Sequence, residues 1–114
     1  MPHDVRKLCF DILKAVADIK SFTVGLDLDA YRNSRIVKLA VERDYEIFGE
    51  ALKRMQIRFE SKFSTLTDGR KIIDFRNLLA HAYDDIADEI VWDITNSNLA
   101  TLQSEIEELL NNYK

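Results

Sequence analysis

Apolar residues recur at intervals of three and four along nearly the whole chain, the period of helices that bury one face. The first such run, with Val5, Leu8, Cys9, Ile12, Leu13, Val16 and Ile19, predicts a helix over about residues 4–21. FTVGLDLD (22–29) reads as a connection, because Gly25 interrupts the propensity and Asp27 or Asp29 can cap the next helix. That longer helix is expected over about 30–59, with Val37, Ala40, Val41, Ile47, Phe48, Ala51, Leu52 and Met55 on its buried side. SKFSTLTDG (61–69) is rich in hydroxyls and turn formers, and Asp68 can cap a third helix over about 70–83 that packs through Ile72, Phe75, Leu78 and Leu79. A fourth helical stretch starts near Ile86, bends around TNSN (95–98) and resumes through Leu99, Leu102, Ile106, Leu109 and Leu110.

Composition narrows the class. With three glycines and one proline there are few breakers, so the expected fold is all-α, an antiparallel bundle of four to five helices. At 114 residues the chain reads as a single domain, 1–114, small enough that a second copy would help it bury surface. No apolar run approaches the ~20 residues of a membrane span. That points to a cytoplasmic protein without a membrane partner. The lone cysteine, Cys9, cannot form an internal disulfide and belongs to the apolar stripe of the first helix.

The net charge of −4 does not suggest a general nucleic-acid binder, but it hides an asymmetry. Residues 53–76 hold seven basic side chains against three acids, whereas 84–108 hold eight acids and no lysine or arginine. Two polar residues are out of place: on an ideal wheel Asp44 falls within the apolar arc of the second long helix, with Asn33 close to the same line. A buried carboxylate needs a partner, so Asp44 either bonds to another helix or faces an interface or pocket.

Candidate chemistry concentrates in RNLLAHAY (76–83). Asn77 and His81 are four apart and share a helix face, Arg76 lies about 100° to one side, and Tyr83 returns close to the line of Arg76. Arg76 and His81 stand about 140° apart on an ideal helix. They converge on one small group only if the helix distorts or a second molecule contributes, which favours a dimeric site. Imidazole titrates near working pH and suits proton transfer to or from a ribose hydroxyl or its leaving oxygen. A guanidinium presents fixed, charged donors to phosphate oxygens. Asn77 could orient the imidazole or touch the phosphate, and Tyr83 could stack on a base. Such a set supports RNA cleavage by the RNA's own 2′-hydroxyl with no metal and no cofactor. The chain has no glycine-rich phosphate loop and no CxxC pair, and its two histidines supply too few ligands for a zinc site.

RNLLAHAY resembles the R-x4-H-x-Y motif of the HepT-like proteins in the HEPN superfamily, with Arg76, His81 and Tyr83 at the named positions and Asn77 after the arginine. The resemblance extends to AVERDYEIFGEALKRM (40–55), with its GEA stretch at 49–51, to RKIIDFRN (70–77) and to IADEIVW (86–92). It implies a HEPN-like helical bundle that dimerises so that two such motifs meet in a shared cleft, acting as a metal-independent endoribonuclease toxin of a type II/VII-like toxin–antitoxin pair. It also implies an MNT-type nucleotidyltransferase antitoxin as partner, with Tyr83 as acceptor of an AMP group that would repel RNA. Arg76 and His81 are then the catalytic residues, with Asn77, Tyr83 and Asp44 in support. Asp44 departs from the asparagine expected of relatives in this stretch. The alternative is a catalytically silent HEPN-type bundle that serves a nucleotidyltransferase as a binding or regulatory partner.

Overall fold

The computed structural model describes residues 5–80 and 85–112. In these residues the chain forms α1 (Val5–Thr23), α2 (Leu28–Arg32), α3 (Arg35–Arg58), α4 (Glu60–Phe63), α5 (Gly69–Leu79), α6 (Asp85–Ser97) and α7 (Leu99–Asn111). All of the regular structure described is helical, as expected of a HEPN-like bundle. Five of these helices have eleven or more residues and form the bundle; α2 and α4 are single-turn connectors.

The apolar stripe of α1 behaves as its spacing predicts. Val5, Leu8, Cys9, Ile12, Ala15, Val16 and Ile19 are all buried, and the helix lies along α3 with α7 on its other side. Gly25 takes the left-handed φ of 77° that turns the chain out of α1, a conformation open to glycine without steric cost. Asp27 then accepts a 2.8 Å bond from the Ala30 amide and caps α2, one of the two capping residues expected.

The expected single helix over 30–59 is divided. Asn33 closes α2 as its C-cap, its Nδ2 donating to the Asp29 carbonyl at 2.9 Å, and Ser34 opens α3 by accepting from the Val37 amide at 3.3 Å. Two adjacent residues with short polar side chains thus satisfy the end of one helix and the start of the next. Asn33 is exposed in this corner and does not share a buried line with Asp44.

α3 is the central element. It packs on α1, α5, α2 and α4, burying Val41, Tyr45, Phe48, Leu52 and Met55 completely. Side chains of this size each contribute roughly 1.5–3 kcal/mol on burial, which is why this helix organises the fold. Tyr45 meets the ring of Phe75 edge-on at 5.2 Å and bonds through its hydroxyl to Thr95 Oγ1 at 2.7 Å, joining α3 to α5 and α6. Tyr31 of α2 stacks obliquely on Trp92 of α6, with centroids 5.4 Å apart. The bend expected at 95–98 is present: α6 ends at Ser97 and Asn98 leads into α7. Asp68 precedes α5 as expected but does not cap it with its side chain; its carboxylate accepts instead from Asn98 Nδ2 at 2.8 Å. Ile47 and Leu78, both expected in the core, are 36% and 44% exposed.

Candidate active site

Arg76 sits in the last turn of α5, where the helix crosses α3 at Gly49. A methyl group at Gly49 would lie 2.5 Å from Arg76 Cβ and 2.8 Å from Cγ, so the arginine's stem occupies the space that any other residue would fill. Glycine inside a helix costs about 1 kcal/mol relative to alanine, and this close approach is its physical reason. The next residue, Glu50, completes the arrangement: its Oε2 lies 3.0 Å from Arg76 Nη2. On the other side Arg76 Nη1 donates to Asn77 Oδ1 at 3.3 Å. The guanidinium is therefore held at two of its nitrogens while remaining about one-third exposed.

This group opens onto a cleft of about 420 Å³ whose floor is α3 and whose walls come from α1 and α5. Arg43, Arg54 and Arg76 line it together with Asp11, Glu46 and Glu50, and Leu8, Ile47 and Ala51 supply its apolar surface. Arg43 pairs with Glu46 at 3.4 Å and Arg54 with Glu50 at 3.6 Å. Both contacts are long and largely exposed, the kind of surface pair that contributes little to stability.

Of the residues singled out in the sequence, Arg76 and Asn77 come together, with Asn77 orienting the arginine. His81 and Tyr83 lie outside the described residues, as does the expected continuation of the third helix over 81–83; the described α5 closes at Leu79 with Ala80 as C-cap. Asp44 is buried, as its place on the wheel predicts, and its partner is Asp18 of α1. Burial pushes its carboxyl up to about 6, and the charge of Asp18 and a hydrogen bond to it act in the same direction; Arg43 and Lys14 oppose the shift. Asp44 does not line the Arg76 cleft. The participation of Glu50 was not read from the sequence, although its place beside a glycine inside a helix is a signal of a close helix crossing. Among the described residues no three His, Cys, Asp or Glu side chains converge as a metal site, and no helix is long and apolar enough to cross a membrane.

A buried helix crossing that presents a fixed arginine to an open cleft is suited to binding and stabilising an oxyanion such as a phosphate. The HepT-like ribonuclease family matches residues 12–109, and the chain belongs to that family. It is 30% identical to the Methanocaldococcus jannaschii protein named "Putative RNase MJ1380" over 92% of this chain and 95% of that one. It is 33% identical to "Putative RNase MJ0127" of the same archaeon, over 94% and 88% of the two chains. A bacterial relative, "Putative RNase TTE0752" of Caldanaerobacter subterraneus, is 26% identical over 79% of this chain and 80% of its own. No solved structure gives a significant match. The family makes the chain an endoribonuclease with RNA as its substrate.

Proposed function

We propose that the chain is a metal-independent ribonuclease toxin that cleaves RNA by attack of a 2′-hydroxyl on the neighbouring phosphate, in a cleft shared by two copies. The observation that carries this reading is Arg76 fixed between Glu50 and Asn77 over Gly49, with its guanidinium exposed to the cleft, five residues before His81. In this reaction the O2′–phosphorus bond forms and the phosphorus–O5′ bond breaks, leaving a 2′,3′-cyclic phosphate and a free 5′-hydroxyl. Neutral His81 takes the 2′ proton, and a protonated imidazole supplies one to the departing O5′. Arg76 stabilises the charge that accumulates on the phosphoryl oxygens, and its prior fixation means little reorganisation at that moment.

Homodimerisation is supported by exposed isoleucines and a leucine on the α3 face that carries the cleft, because such apolar side chains in a row mark an interaction surface. Control by an MNT-type nucleotidyltransferase fits the tyrosine two residues after His81. An AMP group on Tyr83 would add negative charge and bulk two residues along the chain from His81 and so repel RNA.

The test is incubation of mixed tRNA and mRNA with the wild-type protein in EDTA, beside Arg76→Ala and His81→Ala, with analysis of the product ends. Cleavage by the wild type alone, leaving 2′,3′-cyclic phosphate, is the expected result. Intact RNA with a well-folded dimer would overturn it in favour of the silent binding partner. Mass spectrometry of Tyr83 after co-expression with a nucleotidyltransferase tests the modification.

A further inference from the structure

The charges that line the Arg76 cleft are not spread evenly along it. Three arginines stand there with three carboxylates, which gives a neutral total. Two of the carboxylates are engaged elsewhere: Asp11 accepts from Lys7 Nζ at 2.6 Å, and Glu46 pairs with Arg43. At the end of the cleft beside Gly49 a single acid, Glu50, serves two arginines. Its Oε2 lies 3.0 Å from Arg76 Nη2, and its Oε1 lies 3.6 Å from Arg54 Nε. One carboxylate between two guanidiniums leaves a net positive charge, and the exposed Lys53 and Arg58 on the same stretch of α3 add to it.

The two arginines are held differently. Arg76 forms a close ion pair at 3.0 Å, whereas 3.6 Å is beyond the length of a hydrogen bond. Glu50 therefore fixes Arg76 and only attracts Arg54, whose side chain is 62% exposed against 32% for Arg76. An exposed guanidinium whose donors are not taken up by its carboxylate keeps the planar fork that matches a phosphate. The two groups also flank Glu50 on opposite oxygens. A single phosphate gripped by both would lie against the Glu50 carboxylate, which repels it; two phosphates, one on the outer side of each arginine, avoid that contact. Along α3, Arg54 stands five residues beyond the Gly49 seat of Arg76, about 7.5 Å by helical rise, a step comparable to one nucleotide of an unstacked strand.

We infer that Arg54 binds the phosphate next to the scissile one, so that the site reads two successive phosphates of a single RNA strand, one on each arginine, with Glu50 between them. The inference rests on the ribonuclease reading and names a subsite within it. A contact to a phosphate that does not react is equally strong before and during the reaction, so losing it raises KM and spares kcat. Arg76 acts on the reacting phosphate, and its loss falls on kcat.

The experiment measures binding to the full chain with ligands that cannot be cleaved. Mixed-sequence 2′-O-methyl dinucleotides bearing no terminal phosphate, a 5′-phosphate or a 3′-phosphate compete against a longer fluorescent 2′-O-methyl oligonucleotide. On the wild type, a phosphate on one of the two ends should tighten binding about five- to tenfold, the scale of one charge-assisted contact. Arg54→Gln should abolish that gain while binding the phosphate-free dinucleotide as the wild type does. Arg70→Gln removes a similarly exposed charge from an i,i+4 pair outside the cleft, and should leave the gain intact. A gain that survives Arg54→Gln, or that Arg70→Gln also removes, overturns the inference and leaves the nuclease reading standing. Equal weakening of all three dinucleotides by Arg54→Gln would put both arginines on one phosphate and overturns it as well. A wild type that binds none of the ligands overturns both readings. An Arg54-dependent gain in a protein that cleaves no RNA upholds the subsite and removes the nuclease reading.

Discussion

Glu50 holds Arg76 across the crossing of α3 and α5, 3.0 Å from Oε2 to Nη2, one residue beyond the glycine over which the arginine's stem lies. The contact links the helix that organises the core to the arginine proposed to stabilise the phosphoryl charge. A carboxylate used in this way fixes a direction as well as a charge, since a guanidinium anchored on one edge presents the other to its ligand.

That division of roles gives different expectations for the two residues. Arg76→Ala should lower single-turnover cleavage by about 10²–10³-fold, the scale for removing a preorganised charge stabiliser. Glu50→Gln keeps a hydrogen-bond acceptor but not the charge, and should cost about tenfold, with the loss in kcat and not in KM. An equal loss from both substitutions would mean that Glu50 reacts directly, and no loss from Glu50→Gln would show that the ion pair is incidental.

Gly49→Ala isolates the helix crossing. The added methyl would lie 2.5 Å from Arg76 Cβ, so α5 must move or the arginine must leave its place. Overpacking of this kind costs about 1–3 kcal/mol, and the better helix propensity of alanine returns roughly 0.5–1 kcal/mol. Net destabilisation of about 1–2 kcal/mol by urea unfolding is expected, together with a fall in cleavage well beyond what the lost stability explains. A variant as stable and as active as wild type would show that Arg76 needs no fixed seat.

How much of the fold and the site was legible in the sequence depends on whether the signal was local. The stripe of α1, the bend before Leu99 and the core of α3, with the exception of the exposed Ile47, followed from periodicity, because burial of one helix face imposes it. The division between α2 and α3 was also present, in the adjacent Asn33 and Ser34, but the apolar pattern continues through the break and conceals it. Arg76 and Asn77 were singled out by their types and spacing, and the structure brings them together. Glu50 was not, because its role arises from a contact between residues far apart in the chain. Asp44 was recognised as misplaced, whereas its partner, Asp18, was visible only once α1 lay against α3.

The Asp44–Asp18 pair predicts a pH signature. Burial, with Asp18 adding to it, raises the Asp44 carboxyl from its ordinary 3.8 to about 6, so between these values the folded protein holds a proton that the unfolded chain has lost. Stability from this group is therefore fully present below about pH 4 and is lost as pH rises through about 6, by something on the order of 2–3 kcal/mol. Asp44→Asn removes the ionisation. Relative to wild type it should gain stability progressively from about pH 4 to 7 in urea titrations; a difference independent of pH would show that Asp44 does not titrate in this range.

Lys38 ties α3 to α6. Its Nζ lies 2.9 Å from Asp88 Oδ2, an ion pair by distance though not aligned as a hydrogen bond, and the aspartate side chain is only 3% exposed. Glu42 stands near the same pair, its own carboxyl pushed up by burial and by the charge of Asp88. Lys38→Met keeps most of the packing while leaving two carboxylates together without their cation. Breaking one side of a buried pair costs about 3–5 kcal/mol, whereas replacing both partners with apolar residues is often close to neutral. Lys38→Met should therefore be destabilised by about 3–5 kcal/mol, and Lys38→Met with Asp88→Leu should recover most of that loss. Such non-additivity, measured in a double-mutant cycle, would identify the pair as the anchor of the first turns of α6 on α3. Simple addition of the two single losses would show instead that each residue acts through packing alone.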